Sequence, residues 1–211
     1  MSFTHLLASY PYSSILIPMI KDQRYRPFYL PLAFVTLFFV FFILSQMLSF
    51  EHLFGLQSKD GLVEMLAFQT QLPFKLYGLS FLSSYFFHYN IFHLLINALI
   101  FFLISAQLCM RMSVLKVSAL IFLTHFITLL FLIFMSSKPE LFLGSSASTM
   151  GLLAYWSLLQ RKYFLMSSAI IYFIYAFYTS DSLQSLGVIA HLLAIVVGIL
   201  LYVGHRLSKR I

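Results

Sequence analysis

Charged residues are scarce in this sequence: Asp, Glu, Lys and Arg together make up only 9% of its 211 residues. Soluble domains carry about 25% charged residues and are about half apolar, whereas 61% of this chain is hydrophobic. The composition excludes an ordinary soluble domain. It predicts an all-α integral membrane protein.

Cysteine is nearly absent as well. The single Cys109 excludes an internal disulfide, and no cysteine cluster is available to hold zinc. We expect neither a metal ion nor a cofactor. The N-terminus lacks the basic start of a signal peptide, so we expect residues 1–27 to be a cytoplasmic or interfacial segment. With no targeting peptide in view, we expect a bacterial inner membrane protein.

Long apolar segments dominate what is present. A membrane-spanning helix needs about 20 mostly apolar residues, and six segments approach or exceed that length. The predicted spans are 28–50, 86–109, 114–135, 143–160, 164–179 and 183–204. They predict a six-helix membrane domain over 28–205, with a long first outer loop at about 51–85 and a basic tail at 206–211.

The positive charges divide unequally between the two sides of such a bundle. Ten lie on the side of the termini: Lys21, Arg24, Arg26, Arg111, Lys116, Arg161, Lys162, Arg206, Lys209 and Arg210. Three lie on the other side: Lys59, Lys75 and Lys138. Because Lys and Arg favour cytoplasmic loops, we expect both termini to be cytoplasmic. The net charge of +7 therefore reflects topology and calls for no nucleic-acid partner.

Polar residues recur at one depth near the outer side. The fourth predicted span begins with Leu143-Gly144-Ser145-Ser146-Ala147-Ser148-Thr149-Met150-Gly151. At about 1.5 Å per residue, His93 of span two and His191 of span six lie very roughly 10 Å below the outer surface. Ser146 reaches the same layer if the loop before it dips inward. Buried polar groups in a membrane indicate function.

Serine and histidine together could perform acyl transfer. A serine nucleophile needs a base within hydrogen-bond reach, and His191 is the candidate base for Ser146. His93 and Asn97, one helical turn apart, can both donate hydrogen bonds to an oxyanion. Because no carboxylate lies inside spans two, four or six, the predicted site is a Ser-His dyad.

Small residues predict close packing between spans four and six. Ala194 and Gly198 form a small-xxx-small pair on the helix face that carries His191. The residues that we expect at this packing seam are Gly144, Ala147, Gly151, Ala194 and Gly198.

Each of these residues also has a structural interpretation. Serines inside membrane helices often bond their own backbone carbonyls, and an intramembrane histidine can serve packing alone. We interpret His125, inside span three, as structural. The coincidence in depth is what favours a catalytic role for Ser146, His191, His93 and Asn97.

Three motifs resemble the rhomboid family of intramembrane serine proteases. The segment 88–97, HYNIFHLLIN, matches His-x4-His-x3-Asn. The segment 144–147, GSSA, stands where the family has Gly-x-Ser-Gly, and 190–198, AHLLAIVVG, stands where it has Ala-His-x-x-Gly-x-x-x-Gly. The six spans and the long first outer loop also match the bacterial form. Ala147 and Ala194 replace glycines, and the family's Trp-Arg pair is absent near Leu79-Ser80.

The resemblance implies a nucleophile at Ser146, a base at His191, and oxyanion support from His93, Asn97 and the Ser146 amide. It implies cleavage of single-span or multi-span membrane proteins near the outer face of the bilayer, with a substrate gate at about 164–185. No metal is implied. A non-proteolytic relative that binds transmembrane helices for trafficking or quality control is the alternative. A small transporter is a more distant alternative. It would need a polar path that reaches both sides of the membrane, and the inner halves of spans two, four and six have almost no polar groups.

Overall fold

The computed structural model of the chain describes residues 25–47, 66–74, 78–88, 90–136, 140–179 and 182–208. Within these ranges lie seven helices: α1 Arg26–Met47, α2 Leu79–Phe86, α3 Ile91–Cys109, α4 Val114–Met135, α5 Ser146–Leu159, α6 Tyr163–Thr179 and α7 Ser182–Ser208. Two short strands, β1 Phe68–Gln69 and β2 Leu141–Phe142, pair in antiparallel fashion. The described part is therefore helical apart from this small sheet.

Four of these helices are long and apolar enough to cross a membrane. The qualifying segments are Arg26–Ser45, Ile91–Cys109, Val114–Met135 and Gly187–Ser208. Helix α6 is apolar but has 17 residues, and α5 has 14. The chain is thus a multi-pass membrane protein, and each predicted span overlaps one of the helices α1 and α3 to α7.

The observed helix ends differ from the predicted ones where local capping decides them. Span two was predicted from residue 86, but α3 begins at Ile91 because the Asn90 side chain accepts a hydrogen bond of 2.8 Å from the His93 N–H. Helix α5 ends at Leu159, and Arg161 follows with a φ of 57°, a left-handed conformation common just after helices. Span six was predicted from residue 183, and α7 begins one residue earlier.

Several predicted segments lie partly outside the described residues. They are the N-terminal segment 1–27 up to residue 24, positions 48–50 of the first span, positions 51–65 and 75–77 of the first loop, positions 180–181 of the predicted gate, and positions 209–211 of the basic tail. The described end of the first loop contains β1 and α2, so this part has regular structure.

Aromatic side chains join α1, α2 and α3. Phe38 and Tyr85 are fully buried with ring centroids 5.5 Å apart, and Phe38 lies 5.4 Å from Phe101. Phe34 contacts the same rings, at 5.8 Å from Tyr85. Edge-to-face packing of this kind supplies dispersion energy, which is what holds helices together where lipid removes the hydrophobic driving force.

Helix α5 lies inside the bundle, in contact with α3, α4, α6 and α7. Leu152 and Ala154 are fully buried, and Tyr155 is almost so. This position explains why a helix that starts with hydroxyl groups is tolerated: protein surrounds those groups, where lipid would leave them unsatisfied.

The segment that leads into α5 is fixed to α2 and to the first loop. Phe142 pairs with Phe68 across the two strands, and the Gly144 N–H donates a 2.8 Å hydrogen bond to the Ser84 carbonyl. These bonds determine where α5 begins, and so where the serine patch lies.

Candidate active site

A cavity of about 580 Å³ lies beside the first turn of α5. Ser146 lines it from α5, His191 from α7 and His93 from α3. Three residues far apart in the sequence therefore border one space. Other polar groups on its wall are Ser84, Asn90, His125, Thr128 and Glu140.

Ser146 differs from the hydroxyl residues around it. Ser148 and Thr149 donate to the Ser145 carbonyl at 2.8 and 2.9 Å, the backbone bonding typical of hydroxyls in helices. The Ser145 hydroxyl is buried, with no hydrogen-bond partner in the described part of the chain. Ser146 is the half-buried member of this group and the one that lines the cavity. It is thus the hydroxyl of the patch that a substrate could reach.

His191 is held by an aromatic ring of α6. Its imidazole stacks on Phe173, with centroids 4.6 Å apart and planes 12° from parallel. Phe173 is the one buried side chain that α6 contributes within the described structure. The stack fixes the plane of the ring that would act as base. Sequence patterns did not single out Phe173, because it is one aromatic among many on α6.

If His191 acts as the base of peptide cleavage, as the resemblance implies, Phe173→Leu should lower kcat about tenfold with little change in KM, because a displaced base loses its near-attack geometry. Leucine keeps an apolar side chain but removes the ring. Phe164→Leu, at a position of α6 that is 78% exposed, is the matched control and should leave kcat unchanged. Equal kcat in both variants and wild type would show that the stack does not orient His191.

Gly144 lets the loop pass directly over His93. Its φ is 104°, a region that residues with a Cβ rarely adopt. A Cβ built there would lie 2.9 Å from His93 Cε1 and 3.5 Å from His88 Cδ2. The rings of His88 and His93 are 5.2 Å apart. The sequence placed Gly144 at the packing seam of two spans, and the structure places it against the histidines.

Asn97 is buried, but it is not among the residues that line the cavity. Its side-chain amide donates a 2.8 Å hydrogen bond to the His93 carbonyl, one turn earlier in α3. The structure therefore brings His93, Ser146 and His191 to one space and places Asn97 behind His93.

The seam between α5 and α7 is made of backbone contacts. A Cβ added to Gly198 would overlap the Gly151 carbonyl, and one added to Gly151 would lie 2.9 Å from the Ala194 carbonyl. Ala194 is fully buried and Ala147 is 8% exposed. The two helices that carry Ser146 and His191 thus touch through small residues, as membrane helices do where backbones approach closely.

His125 has a clear structural contact. Its Nε2 atom donates a 2.9 Å hydrogen bond to the Phe81 carbonyl and so joins α4 to α2. It also lines the cavity, together with Ser84 and Thr128. Among the described residues no group of three or more His, Cys, Asp or Glu could hold a metal ion.

A known protein family matches the part of the chain that contains this cavity. The family described as Rhomboid domain matches residues 75–206, which include every residue that lines the cavity. The chain belongs to the rhomboid family. The predicted relationship is thereby confirmed, and the rhomboid match extends from the end of the first loop through nearly all of α7. No curated protein matches the chain.

Proposed function

We propose that this rhomboid is an intramembrane serine endopeptidase that cleaves transmembrane proteins through a Ser146–His191 dyad. The observation that supports it best is the single cavity lined by Ser146, His191 and His93. Members of the family are generally intramembrane serine proteases, and both residues of the dyad stand at the family's motif positions.

The proposed reaction proceeds in two acyl-transfer steps. His191 takes the Ser146 proton while Oγ attacks the scissile carbonyl carbon. His191 then gives that proton to the leaving amine, and an acyl-enzyme remains. In the second step a water molecule gives a proton to His191 and attacks the ester carbonyl. The ester bond to Ser146 Oγ then breaks, His191 returns the proton to Oγ, and the new carboxyl end is released.

The oxyanion of each tetrahedral intermediate needs donors. The Ser146 backbone N–H is one, because the first N–H groups of a helix have no partner within the helix. The His93 imidazole is another. We assign a supporting role to Asn97, whose amide has a second N–H beside the one bonded to the His93 carbonyl.

The length of α5 supports a site below the membrane surface. Its 14 residues extend about 21 Å, whereas the hydrocarbon core is about 30 Å thick. If α5 ends at the inner surface, Ser146 lies about 9 Å below the outer one. The β1–β2 pairing before α5 is consistent with a loop that dips into the membrane.

We further propose that α1 and α3 to α7 are six spans of one membrane domain over 28–205, with cytoplasmic termini and the cavity toward the outer side of a bacterial inner membrane. The start of α1 lies by the second half of α3, since Phe28 stacks on Phe102 at 6.2 Å. The ends of α5 and α7 also meet, with Tyr155 5.8 Å from Tyr202. The basic residues near these helix ends, opposite Ser146, are Arg26, Arg111, Lys116, Arg161, Lys162 and Arg206. That pattern is typical of a cytoplasmic face.

The test is cleavage in proteoliposomes. A single-span protein with small residues near its outer end should yield one product with wild-type enzyme and none with Ser146→Ala. If the substrate co-purifies equally with both forms and no product appears, the protein binds transmembrane helices without cutting them, and the proposal is wrong.

A further inference from the structure

Helices α5 and α7 run side by side in the same direction. Gly151 of α5 meets Ala194 and Gly198 of α7. Further along both helices, Tyr155 lies 5.8 Å from Tyr202. Because both helices rise by about 1.5 Å per residue, the residues that lie level with one another can be counted from these contacts.

Gly187 lies beyond the first residue of α5. Counting back from the Gly151 contacts places Ser146, where α5 begins, level with His191. Gly187 stands about one helical turn before His191 in α7, about 6 Å further toward the start of that helix. Helix α5 has not yet begun at that level, so it does not fill the space in front of Gly187.

The face of α7 at Gly187 is turned toward the cavity. Gly187 shares this face with His191 and Gly198, because separations of four and eleven residues both return to one side of a helix. Gly187 and His191 both line the cavity. A Cβ built on Gly187 meets no atom of another described segment within 4 Å, whereas one built on Gly198 overlaps the Gly151 carbonyl. This face of α7 is therefore closely packed at Gly198 and open at Gly187.

The walls next to this space are largely apolar. Ala190 and Ala147, the sequence neighbours of His191 and Ser146, are buried lining residues. Helix α4 contributes Leu129 and Leu132, which belong to one hydrophobic cluster with Ala190. Apolar walls of this kind are typical of sites that bind apolar groups.

We propose that Gly187 is a specificity-determining residue whose missing side chain leaves room beside the dyad for a large apolar side chain of the substrate. The inference rests on the proposed protease function. The cavity of about 580 Å³ is within the usual range of sites that enclose a drug-sized ligand. It thus has volume for a leucine or phenylalanine side chain as well as the reacting peptide bond. A longer side chain at position 187 would occupy that volume and reject the large residue while it still admits a small one.

The test uses synthetic single-span peptides in phosphatidylcholine vesicles. Each peptide carries Ala or Phe at one of eight positions, four on either side of the cleaved bond, in an otherwise fixed sequence. Wild-type enzyme should cleave the Phe peptide at least as fast as the Ala peptide at one or more positions. There, Gly187→Leu should lower kcat/KM for the Phe peptide about tenfold and change that for the Ala peptide by less than about twofold. Gly187→Ala should fall between wild type and Gly187→Leu.

Gly204→Leu is the matched control, because it makes the same change near the opposite end of α7. A Cβ there also meets no other described segment within 4 Å, and the variant should keep the wild-type ratio of Phe to Ala cleavage. Leucine favours helix more than glycine does, so we expect both leucine variants to fold, and the Ala peptide reports whether each is active.

Two results overturn this inference alone. One is an equal change in kcat/KM for the Ala and Phe peptides in Gly187→Leu, whether that change is small or large. The other is a wild-type enzyme that cleaves the Ala peptides in a Ser146-dependent manner but rejects Phe at every position. Absence of Ser146-dependent cleavage of every peptide by the wild-type enzyme overturns the proposed function and this inference with it.

Discussion

Ser146→Ala and His191→Ala are each expected to lower kcat/KM for peptide cleavage by at least about a thousandfold. The first removes the atom that forms the acyl bond, and the second removes the base that activates it. Because the two groups act as a unit, the double variant should be hardly slower than either single one. Initial rates of product formation in proteoliposomes, with each variant at equal amounts of folded protein, measure this.

Ser145→Ala is the matched control for these variants. It deletes a neighbouring hydroxyl that is buried without a hydrogen-bond partner in the described structure, so folding loses no bond. We expect a rate within about twofold of wild type, because the change removes one oxygen atom that bonds no group of the described structure and leaves the backbone before Ser146 unchanged. Cleavage that survives Ser146→Ala but falls with Ser145→Ala would show that the nucleophile is Ser145 and not Ser146.

Gly198→Ala is expected to destabilise the protein by about 1–3 kcal/mol, the usual penalty for forcing atoms into a packed interface, and to reduce cleavage with it. The added Cβ would overlap the Gly151 carbonyl, so α5 and α7 must separate. Those helices carry Ser146 and His191, and a displacement of about 1 Å can slow a reaction about a hundredfold. Unfolding in mixed detergent gives the free energy, and the vesicle assay gives the rate.

Gly204→Ala provides the comparison on the same helix. A Cβ there would meet nothing within 4 Å, so the same change in composition should leave both stability and rate close to wild type. If Gly198→Ala unfolds at the same detergent fraction as Gly204→Ala and cleaves as fast, the backbone contact between α5 and α7 does not position the dyad.

Local sequence patterns predicted a large share of this fold. Apolar length predicted where α1, α4 and α6 lie, to within a few residues, because lipid imposes a minimum length on a span. The spacing of Gly151, Ala194 and Gly198 predicted a close helix contact, because only small side chains allow backbones to touch. The register of Ser146 within its motif separated it from Ser145 and Ser148, as the cavity does.

Contacts between distant segments were beyond the reach of such patterns. The pairing of Phe68 with Phe142 joins residues more than seventy positions apart, and a two-residue strand has no periodicity to detect. That pairing is also what brings Glu140 to the cavity wall. The stack of Phe173 on His191 could not be predicted for a related reason. An aromatic side chain in a membrane span usually only fills space, and the folded structure is needed to show that Phe173 contacts His191.

Asn97 shows how spacing alone can mislead about a side chain's immediate partner. Its separation from His93 by four residues places both on one helix face. The same separation lets the Asn97 amide reach back to the His93 carbonyl, and the structure contains that bond. An oxyanion role for Asn97 therefore remains a proposal, supported by its second N–H and its motif position.

Reaction with a fluorophosphonate tests the central claim most directly. The reagent phosphonylates an activated serine, and peptide mass spectrometry identifies the labelled residue. We predict one adduct in the wild-type protein, on Ser146, with labelling abolished by Ser146→Ala, strongly reduced by His191→Ala and unaffected by Ser145→Ala. Equal labelling of wild type, Ser146→Ala and His191→Ala, or an adduct on another serine, would contradict a Ser146–His191 dyad.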